Sequence, residues 1–226
     1  MNEHIVIVTG SAPLPDHVVA LVPPAAIVIG VDSGFDHART AGLRPFGLIG
    51  DLDSVSDENR EWAREHATIS RHPSDKDETD TELALAFAAD MNPARITMLG
   101  GGDRLDHTIA AIGALGASGL TGVPVLDAWW GDQHIDVLHG PGRRSLTLEP
   151  NSIVSLMSLG RPCHKVSISG VRWPLVEAEL PPTVGLGISN QVIDPDGNVI
   201  VSTTTSVLTI FDHPASVTDH TEQETP

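Results

Sequence analysis

Short runs of aliphatic and β-branched residues alternate with longer amphipathic segments through the first 131 residues of the chain. The apolar runs have the length and composition of buried parallel strands; they are IVIVTG, AIVIGV, PFGLIGD, ATIS, RITMLG and VPVLDAWW. The segments between them are predicted helices, namely DHVVALV, FDHARTAGL, DENREWAREH, TDTELALAFAAD and LDHTIAAIGALGASG. This alternation predicts an N-terminal α/β domain over residues 1–131, built on a doubly wound, mostly parallel sheet.

The pattern changes after residue 131, where helical periodicity stops. Short β segments follow one another at intervals of about 8–12 residues, separated by Gly, Pro and Asn; they are HIDVLHG, RSLTLEP, SIVSLMSLG, HKVSISGV and GNVIVSTTTSVLTIF. The sequence PDGN at Pro195–Asn198 predicts a hairpin turn. We therefore expect a small all-β sandwich over residues 132–212. The polar, unpatterned residues 213–226 are predicted to be a disordered tail.

Charge and composition narrow the functional classes. The net charge of −17 disfavours nucleic acid and anionic membranes as partners and favours metal cations. No apolar run approaches the ~18 residues that a membrane span needs. The N-terminus MNEHIVIVTG has no basic segment, so we expect no signal peptide and a cytoplasmic location. The single cysteine, Cys163, excludes a disulfide within the chain and is expected to be a buried apolar residue.

Aspartates are concentrated in four short segments, each at the end of a predicted strand or the start of a predicted helix. They are Asp32 in GVDSGFDHA, Asp51 and Asp53 in LIGDLDSV, Asp77 and Asp80 in SDKDETDTELAL, and Asp106 in GGGDRLDH. In an open α/β sheet, carboxylates at equivalent strand ends converge on one crevice. Such a set suits Mg²⁺, which commonly binds together with the phosphates of a nucleotide. The pattern therefore predicts phosphoryl-transfer chemistry.

The first two acidic pairs each allow a second interpretation. Asp51 and Asp53 are two residues apart, so in extended backbone they would face the same way and repel unless a cation lay between them. They could equally belong to a turn whose Asp caps a helix. In DKDETD, Asp80 or Thr79 can cap a helix whose N-terminus attracts phosphate, with Lys76 as a point charge for a phosphate oxygen. The alternative is a solvated charged turn.

The third segment, GGGDRLDH, places a glycine run between a strand and a helix. Backbone N–H groups near Gly102 can approach a phosphate closely there, although the segment is neither a Walker A loop nor GxGxxG. Arg104 is a candidate fork for phosphate oxygens. His107 opens the helix beside Asp106 and is either a ligand-binding residue or an ordinary residue of the cap.

Taken in order, DSG, GDLDS, DKDETD and GGDRLDH, followed by SGVRWPL and GISN, resemble the thiamine pyrophosphokinase family from about His4 to Phe211. The resemblance implies Mg²⁺-dependent transfer of a pyrophosphoryl group from ATP to thiamine, giving thiamine diphosphate and AMP. It also implies a homodimer whose active sites lie between subunits.

The resemblance assigns roles to individual residues. Those it implies for metal binding are Asp51, Asp53 and Asp80. Those it implies for catalysis are the same three with Asp32, Arg104 and Asp106. Asp77, three residues before Asp80 at the start of the predicted helix, is a further catalytic candidate from the sequence itself. The candidates for nucleotide binding, taken from the chemistry of the segments described above, are Lys76, Thr79, Gly102, Arg104 and His107. Those the resemblance implies for thiamine are Asp80, Trp173, Ser189 and Asn190, with the Trp173 ring offering a face to a cationic ligand. A tryptophan in a β domain is otherwise usually a core residue.

The sequence departs from the family pattern at two points. Asp103 replaces the second glycine of GGR, and small residues replace an Asn often found one turn after DH. Two other functions share parts of the pattern: a pyrophosphokinase acting on a hydroxymethyl pterin, and a non-catalytic regulator that binds thiamine diphosphate. The RWPL and GISN segments favour thiamine over the pterin. The acidic clusters argue against the regulator, since a binding module has no need of ATP.

Overall fold

A computed structural model describes residues 3–10, 12–102 and 104–213 of the chain. Asp103 and all of the predicted tail except His213 lie outside the described residues. The strands of the N-terminal part are β1 (His4–Val8), β2 (Ile27–Val31), β3 (Pro45–Gly50), β4 (Thr68–Arg71), β5 (Arg95–Gly100) and β6 (Val125–Trp130). The helices are α1 (Asp16–Val19), α2 (Gly34–Thr40), α3 (Asp57–His66), α4 (Asp80–Asp90) and α5 (Leu105–Ala114), with a 3₁₀ turn at Ser118–Leu120.

Within the described residues, the C-terminal part has eight strands, which are joined by shorter connections than the six strands of the N-terminal part. These eight are β7 (Gln133–His139), β8 (Gly142–Thr147), β9 (Ile153–Leu159), β10 (Cys163–Ser169), β11 (Leu175–Leu180), β12 (Asn190–Gln191), β13 (Asn198–Thr203) and β14 (Val207–His213).

Six neighbouring strands form the parallel sheet that the alternating pattern predicts. Their order is β6-β5-β1-β2-β3-β4, and every pair within this set is parallel. Successive β1 residues face opposite sides: Ile5 and Ile7 pack with α4 and α5, whereas Val6 and Val8 pack with α1 and α2. Both faces are thus covered by helices, which explains why these strands are apolar along their whole length. The predicted fold class is confirmed.

The large sheet does not stop at residue 131. It continues through β7, β14, β9 and β12, all antiparallel to their neighbours, and so reaches ten strands. A second, four-stranded antiparallel sheet has the order β11-β10-β13-β8. Buried side chains from the two sheets, among them Leu156, Val166, Val201 and Leu208, form a shared core. The β-sandwich is therefore made partly of strands that extend the parallel sheet, and the division at residues 131/132 stays a prediction.

Three local expectations are wrong in detail. LVEAEL was not predicted as a strand, yet it forms β11, an edge strand whose side chains are mostly outside the core. The run GNVIVSTTTSVLTIF is two strands, β13 and β14, which lie in different sheets. The PDGN segment forms a turn, with Asp194 Oδ1 accepting hydrogen bonds from the backbone N–H groups of Asp196 and Asn198. It is not a hairpin, because β12 pairs with β9 whereas β13 pairs with β8 and β10.

Two other expectations concern the burial of Cys163 and the absence of a membrane-spanning segment. Cys163 is fully buried in the second core, as predicted. Within the described part of the chain, no helix is long and apolar enough to cross a membrane.

Candidate active site

A cavity of about 480 Å³ opens at the carboxyl edge of the parallel strands, between their loops and helices α4 and α5. Six of the residues singled out in the sequence line it: Asp32, Asp51, Lys76, Thr79, Asp80 and His107. They come from the ends of β2 and β3, from the loop after β4, and from the first turns of α4 and α5. The convergence expected for carboxylates at equivalent strand ends is therefore observed at this edge.

Asp32 follows β2 with a backbone φ of 47°, a left-handed conformation that Asp tolerates better than most residues. Its N–H donates to the carbonyl of Ile49, and its Oδ1 accepts a long hydrogen bond of 3.4 Å from the Leu52 N–H. Burial raises the pKa of Asp32 to about 7, and repulsion from the carboxylates of Asp80, Asp51 and Asp53 adds to this shift. A bound cation would relieve this repulsion.

Asp51 is oriented by two hydrogen bonds. Its Oδ1 accepts from the Asp53 N–H at 3.0 Å, and its Oδ2 accepts from the Ser74 hydroxyl at 2.8 Å. These two bonds hold the pKa of Asp51 below its usual range. The extended backbone expected between Asp51 and Asp53 is not formed, because Leu52 has a φ of 70°. Asp53 is exposed at the rim and does not line the cavity.

Asp80 and Lys76 form an ion pair inside the cavity. The Lys76 ammonium lies 3.0 Å from Asp80 Oδ1, donates to Oδ2 at 3.2 Å, and donates to the Pro73 carbonyl at 2.9 Å. Asp80 Oδ1 is nevertheless buried without a hydrogen bond of good geometry. Thr79, rather than Asp80, caps α4, and its hydroxyl and N–H form a capping box with Glu82. The cap leaves the Asp80 carboxylate free to face the cavity.

The glycine loop and the start of α5 contribute less to the cavity than the sequence predicts. Gly102 has a φ of 77°. Arg104 and Asp106 form an exposed ion pair of 2.6 Å, and hydrogen bonds from Arg104 lower the pKa of Asp106. Neither side chain lines the cavity, and Asp77 is also exposed outside it. His107 is the one predicted residue of this loop that lines the cavity.

Several residues that were not predicted from the sequence line the same cavity: Thr9, Gly10, Ser33, Ser54, Ser74 and Trp130. Three of them tie strand-end loops together, since Ser33 Oγ donates to the Gly10 carbonyl at 2.9 Å and the Ser33 N–H donates to Ser54 Oγ at 3.1 Å. Their position at strand ends could have identified Gly10 and Trp130 from the sequence, because Gly10 follows β1 and Trp130 ends β6. The strand-end rule that found the aspartates applies to any residue type.

Of the residues predicted to meet thiamine, Asp80 lines this cavity, whereas Trp173, Ser189 and Asn190 lie together in the β-rich part of the chain. The side-chain amide of Asn190 accepts from the Trp173 N–H at 3.0 Å and donates to its carbonyl at 2.6 Å. Ser189, with a φ of 57°, donates its N–H to Ser155 Oγ at 3.0 Å. The Trp173 ring is 56 % exposed, and the Arg172 guanidinium lies 4.9 Å from its centre. The ring is therefore a surface group rather than a core residue.

The chemistry of the cavity suits a hard divalent cation. Three carboxylates converge, one oxygen of Asp80 is buried without a hydrogen bond, and burial together with mutual repulsion raises the pKa of Asp32. In residues 3–10, 12–102 and 104–213, however, no three acidic, His or Cys side chains are close enough to hold a metal ion by themselves. A cation here would need additional oxygen ligands from water or from a phosphate. Mg²⁺ is typically bound in that way.

Comparison with known proteins agrees with the motifs. The family model for the thiamin pyrophosphokinase catalytic domain matches residues 15–123, and the model for the vitamin B1 binding domain of thiamin pyrophosphokinase matches residues 144–208. The chain is 28 % identical over 174 residues to the thiamine pyrophosphokinase of Bacillus subtilis strain 168, which covers 75 % of this chain and 79 % of that protein.

Solved structures show the same fold. The crystal structure of the Bacillus subtilis thiamine pyrophosphokinase matches with a TM-score of 0.80 and 24 % identity, over 94 % of this chain and all of that one (100 %). The thiamin pyrophosphokinase of Candida albicans matches with a TM-score of 0.75 and 14 % identity, over 92 % and 89 % of the two chains. Because the two family models span both the helical and the β-rich parts, the chain belongs to the thiamine pyrophosphokinase family and is an enzyme of that transferase class.

Proposed function

We propose that the chain transfers the pyrophosphoryl group of Mg·ATP to the hydroxyl of thiamine, releasing AMP and thiamine diphosphate. The observation that carries the proposal is the convergence of Asp32, Asp51, Asp80 and Lys76 on one cavity at the carboxyl edge of the parallel sheet. The family matches over both parts of the chain support thiamine as the acceptor. They give no support to the pterin pyrophosphokinase or to the non-catalytic regulator.

The carboxylates have distinct parts in this proposal. Asp51, Asp53 and Asp80 would hold Mg²⁺, which on binding neutralises charge on the phosphate oxygens. Asp51 is already oriented by Ser74 and by the Asp53 backbone. Asp53 lies at the rim of the cavity. It would become the third carboxylate ligand when ATP phosphates bring Mg²⁺ to a position among Asp51, Asp53 and Asp80. Lys76, whose ammonium lies in the cavity beside Asp80, would bind a phosphate oxygen when the cation takes its place at that carboxylate.

The reaction needs positioning and charge neutralisation rather than a covalent intermediate. The thiamine hydroxyl oxygen forms a bond to the β-phosphorus of ATP as the bond from that phosphorus to the α,β-bridging oxygen breaks. AMP leaves with that oxygen, and the β- and γ-phosphates remain on thiamine. The hydroxyl proton is lost in the process, and the carboxylates of the cavity are the bases that this chain offers. Thr79 and His107 line the cavity in which the phosphates would lie. Gly102 and Arg104 belong to the loop before α5, outside the cavity lining, and would contact only a phosphate that extends beyond it.

We further propose that the active site is shared between two copies of the chain. Asn190 lies on β12, at one end of the large sheet, whereas Asp32 follows β2. Seven strand spacings of about 4.8 Å separate β12 from β2, or roughly 34 Å across the sheet. A single thiamine molecule cannot bridge that distance. The Trp173–Asn190 pair of one subunit would therefore serve the cavity of the other.

Exposed apolar side chains offer a surface for this association. On α5, Leu105 and Ile109 are four residues apart and are 72 % and 63 % exposed. Beyond the end of the same helix, a Cβ at Gly116 would lie 3.6 Å from the side chain of Leu159 on β9, and β9 also carries the exposed Met157. Contiguous apolar surface on neighbouring elements is typical of subunit interfaces. Because other residues of α5 line the cavity, the position of this apolar surface supports a homodimer with composite active sites.

One assay tests the proposed function. The protein is incubated with thiamine, ATP and Mg²⁺, and the products are separated by chromatography. We expect AMP and thiamine diphosphate in equal amounts, and neither product when EDTA removes Mg²⁺. A hydroxymethyl pterin replaces thiamine in a parallel reaction and should give no AMP. Absence of AMP with thiamine, or thiamine-independent AMP formation, would overturn the proposal.

A further inference from the structure

The cavity has two chemically different sides. Its carboxylates and Lys76 come from β2, β3 and the segment between β4 and α4. The other side is formed by the ends of β1 and β6 and by α5, and it presents a tryptophan ring with small neighbours. The members of this second side are Thr9, Gly10, Ala110, Ala111 and Trp130. His107, at the start of α5, also lines the cavity, and the proposed phosphate and metal chemistry uses it together with the acidic side but none of these five residues.

The Trp130 ring is held in a fixed position. Trp130 is the last residue of β6 and is paired in register with Gly100 of β5. Its ring covers Gly100 so closely that a Cβ at position 100 would lie 2.5 Å from Trp130 Cζ3. The indole N–H donates to Thr108 Oγ1 on α5 at 3.3 Å. Glycine beneath the ring and a hydrogen bond at its edge together fix the indole where it lines the cavity.

The neighbouring tryptophan provides a contrast. Trp129 points to the opposite face of the sheet, packs with the cluster that contains Val18 and Ala38, and lies 4.9 Å from the His134 ring. It does not line the cavity. The two residues are adjacent in sequence and partly buried, so Trp129 is a matched control for any effect of removing an indole from this strand.

We propose that Trp130 is the stacking platform for the nucleobase of ATP. The inference rests on the proposed function, since it requires a nucleotide in the cavity. Three to four strand spacings separate β6 from the ends of β2 and β3, which is roughly 15–20 Å. That span is comparable to an extended nucleoside triphosphate, with the base at Trp130 and the terminal phosphates at the carboxylates. An aromatic face stabilises any base by stacking, so Trp130 contributes affinity for the base and not for the phosphates.

The first test compares two probes by titration calorimetry in the presence of Mg²⁺: ATP, and inorganic tripolyphosphate, which has no base. Trp130→Leu should weaken ATP binding about 5- to 150-fold, the range expected for losing one base–aromatic stack. Its affinity for tripolyphosphate should not change. Trp129→Leu should bind both probes as the wild type does, whatever its melting temperature. Equal weakening of both probes by Trp130→Leu, or no weakening of ATP binding, would overturn the inference.

A second test avoids dependence on the folding of the leucine variant. Stacking of a base on an indole quenches its fluorescence, so ATP should quench the wild-type protein and the Trp129→Phe variant. The conservative Trp130→Phe variant should lose that quenching while still binding ATP by calorimetry. Quenching that persists in Trp130→Phe would contradict the assignment. A wild-type protein that does not bind ATP would overturn the proposed function as well, whereas ATP binding that is insensitive to Trp130 would overturn only this inference.

Discussion

The carboxylate of Asp32 occupies the space that a side chain at Gly50 would fill. A Cβ built at Gly50 would lie 1.8 Å from Asp32 Oδ1, and the Gly50 backbone has a φ of 144°. Glycine is required at the end of β3 for both reasons, because other residues rarely adopt that φ and because the carboxylate could not keep its position. The absence of a side chain at Gly50, at the end of β3, thus leaves room for the Asp32 carboxylate at the end of the neighbouring strand β2.

We predict that Gly50→Ala displaces Asp32 and strains the backbone. The free energy of unfolding should fall by about 1–3 kcal/mol, and turnover should fall with it. Gly47→Ala in the same strand is the control, since a Cβ there meets Ile29 at an ordinary 3.7 Å. Urea unfolding and the AMP assay would be run on both variants. A Gly50→Ala protein with wild-type stability and activity would show that Asp32 does not need its present position.

Asp53→Asn should abolish turnover while leaving the fold intact. Its side chain is exposed at the rim, so little packing is lost, but a neutral amide is a poor ligand for Mg²⁺. We expect kcat/KM at limiting Mg²⁺ to fall about 100-fold or more, as for the loss of a key electrostatic group. Asp57→Asn, an exposed carboxylate at the start of α3, should remain active. Wild-type activity of Asp53→Asn at limiting Mg²⁺ would remove Asp53 from the metal site.

The buried framework of this molecule follows closely from the sequence. RITMLG coincides with β5 because it is an apolar run covered on both faces, and DENREWAREH coincides with α3 because Ser56 caps it with a side-chain hydrogen bond. The hydrophobic periodicity indicates which side chains are buried, and burial of those side chains determines the secondary structure of these elements. The same logic located the strand-end aspartates Asp32 and Asp51.

Features that depend on contacts between distant segments were not predictable in this way. β11 is an edge strand with few buried side chains, so it carries no clear alternation. The left-handed conformation of Leu52 has no local signature, since its bulky side chain disfavours that region. The position of Trp130 depends on Gly100 across the sheet, and the Asn190 hydrogen bonds to the Trp173 backbone join residues that are 17 apart. Each of these needs the tertiary structure to define the partner.

Two variants that are poorly active at thiamine concentrations well below the KM should restore activity when they are mixed under those conditions, if the site is shared between subunits. Asp53→Asn disables the acidic cavity and Trp173→Ala disables the thiamine surface, at sites far apart across the sheet. A heterodimer contains one cavity with an intact Asp53 facing an intact Trp173. At random exchange of equal amounts, about half of the dimers would be heterodimers, so activity should recover to roughly a quarter of the wild-type value. Failure to recover, with subunit exchange verified by differently tagged chains, would argue against a composite site.

Trp173→Ala should raise the KM for thiamine and leave that for ATP nearly unchanged. The exposed indole can hold the cationic thiazolium on the face that Arg172 does not cover. A cation–π contact of about 0.5–2 kcal/mol corresponds to about a 2- to 30-fold change in affinity. Trp62→Ala is the control, because it removes another Arg–Trp pair, with Arg39 at 4.5 Å, from the helical part of the chain. Parallel changes in both KM values, or a lowered melting temperature without a change in thiamine KM, would assign Trp173 a structural role.

A buried polar network on the sheet should make stability depend on pH. His134 on β7 contacts Asp127 Oδ2 at 3.4 Å and Asp212 Oδ1 at 2.8 Å, and Asp136 is also near. Arg95 and Thr97 hydrogen-bond to Asp127, and Arg144 pairs with Asp136. Burial alone would lower the pKa of His134, but the hydrogen bonds to the two carboxylates outweigh it and raise the pKa to about 10.

The direction of the pH effect follows from this shift. Since the pKa in the folded state lies above the unfolded value of 6.5, the stabilisation is fully present below about pH 6.5 and is lost as the pH rises towards 10. The wild type should therefore be more stable than His134→Gln by ~2–5 kcal/mol at pH 6, and the difference should shrink steadily by pH 9.5. Comparing the two proteins by urea unfolding at each pH cancels groups that titrate in both. Asp212→Asn, which removes one partner, should move the loss to lower pH. A difference that stays constant from pH 6 to 9.5 would mean that His134 is neutral in the folded protein.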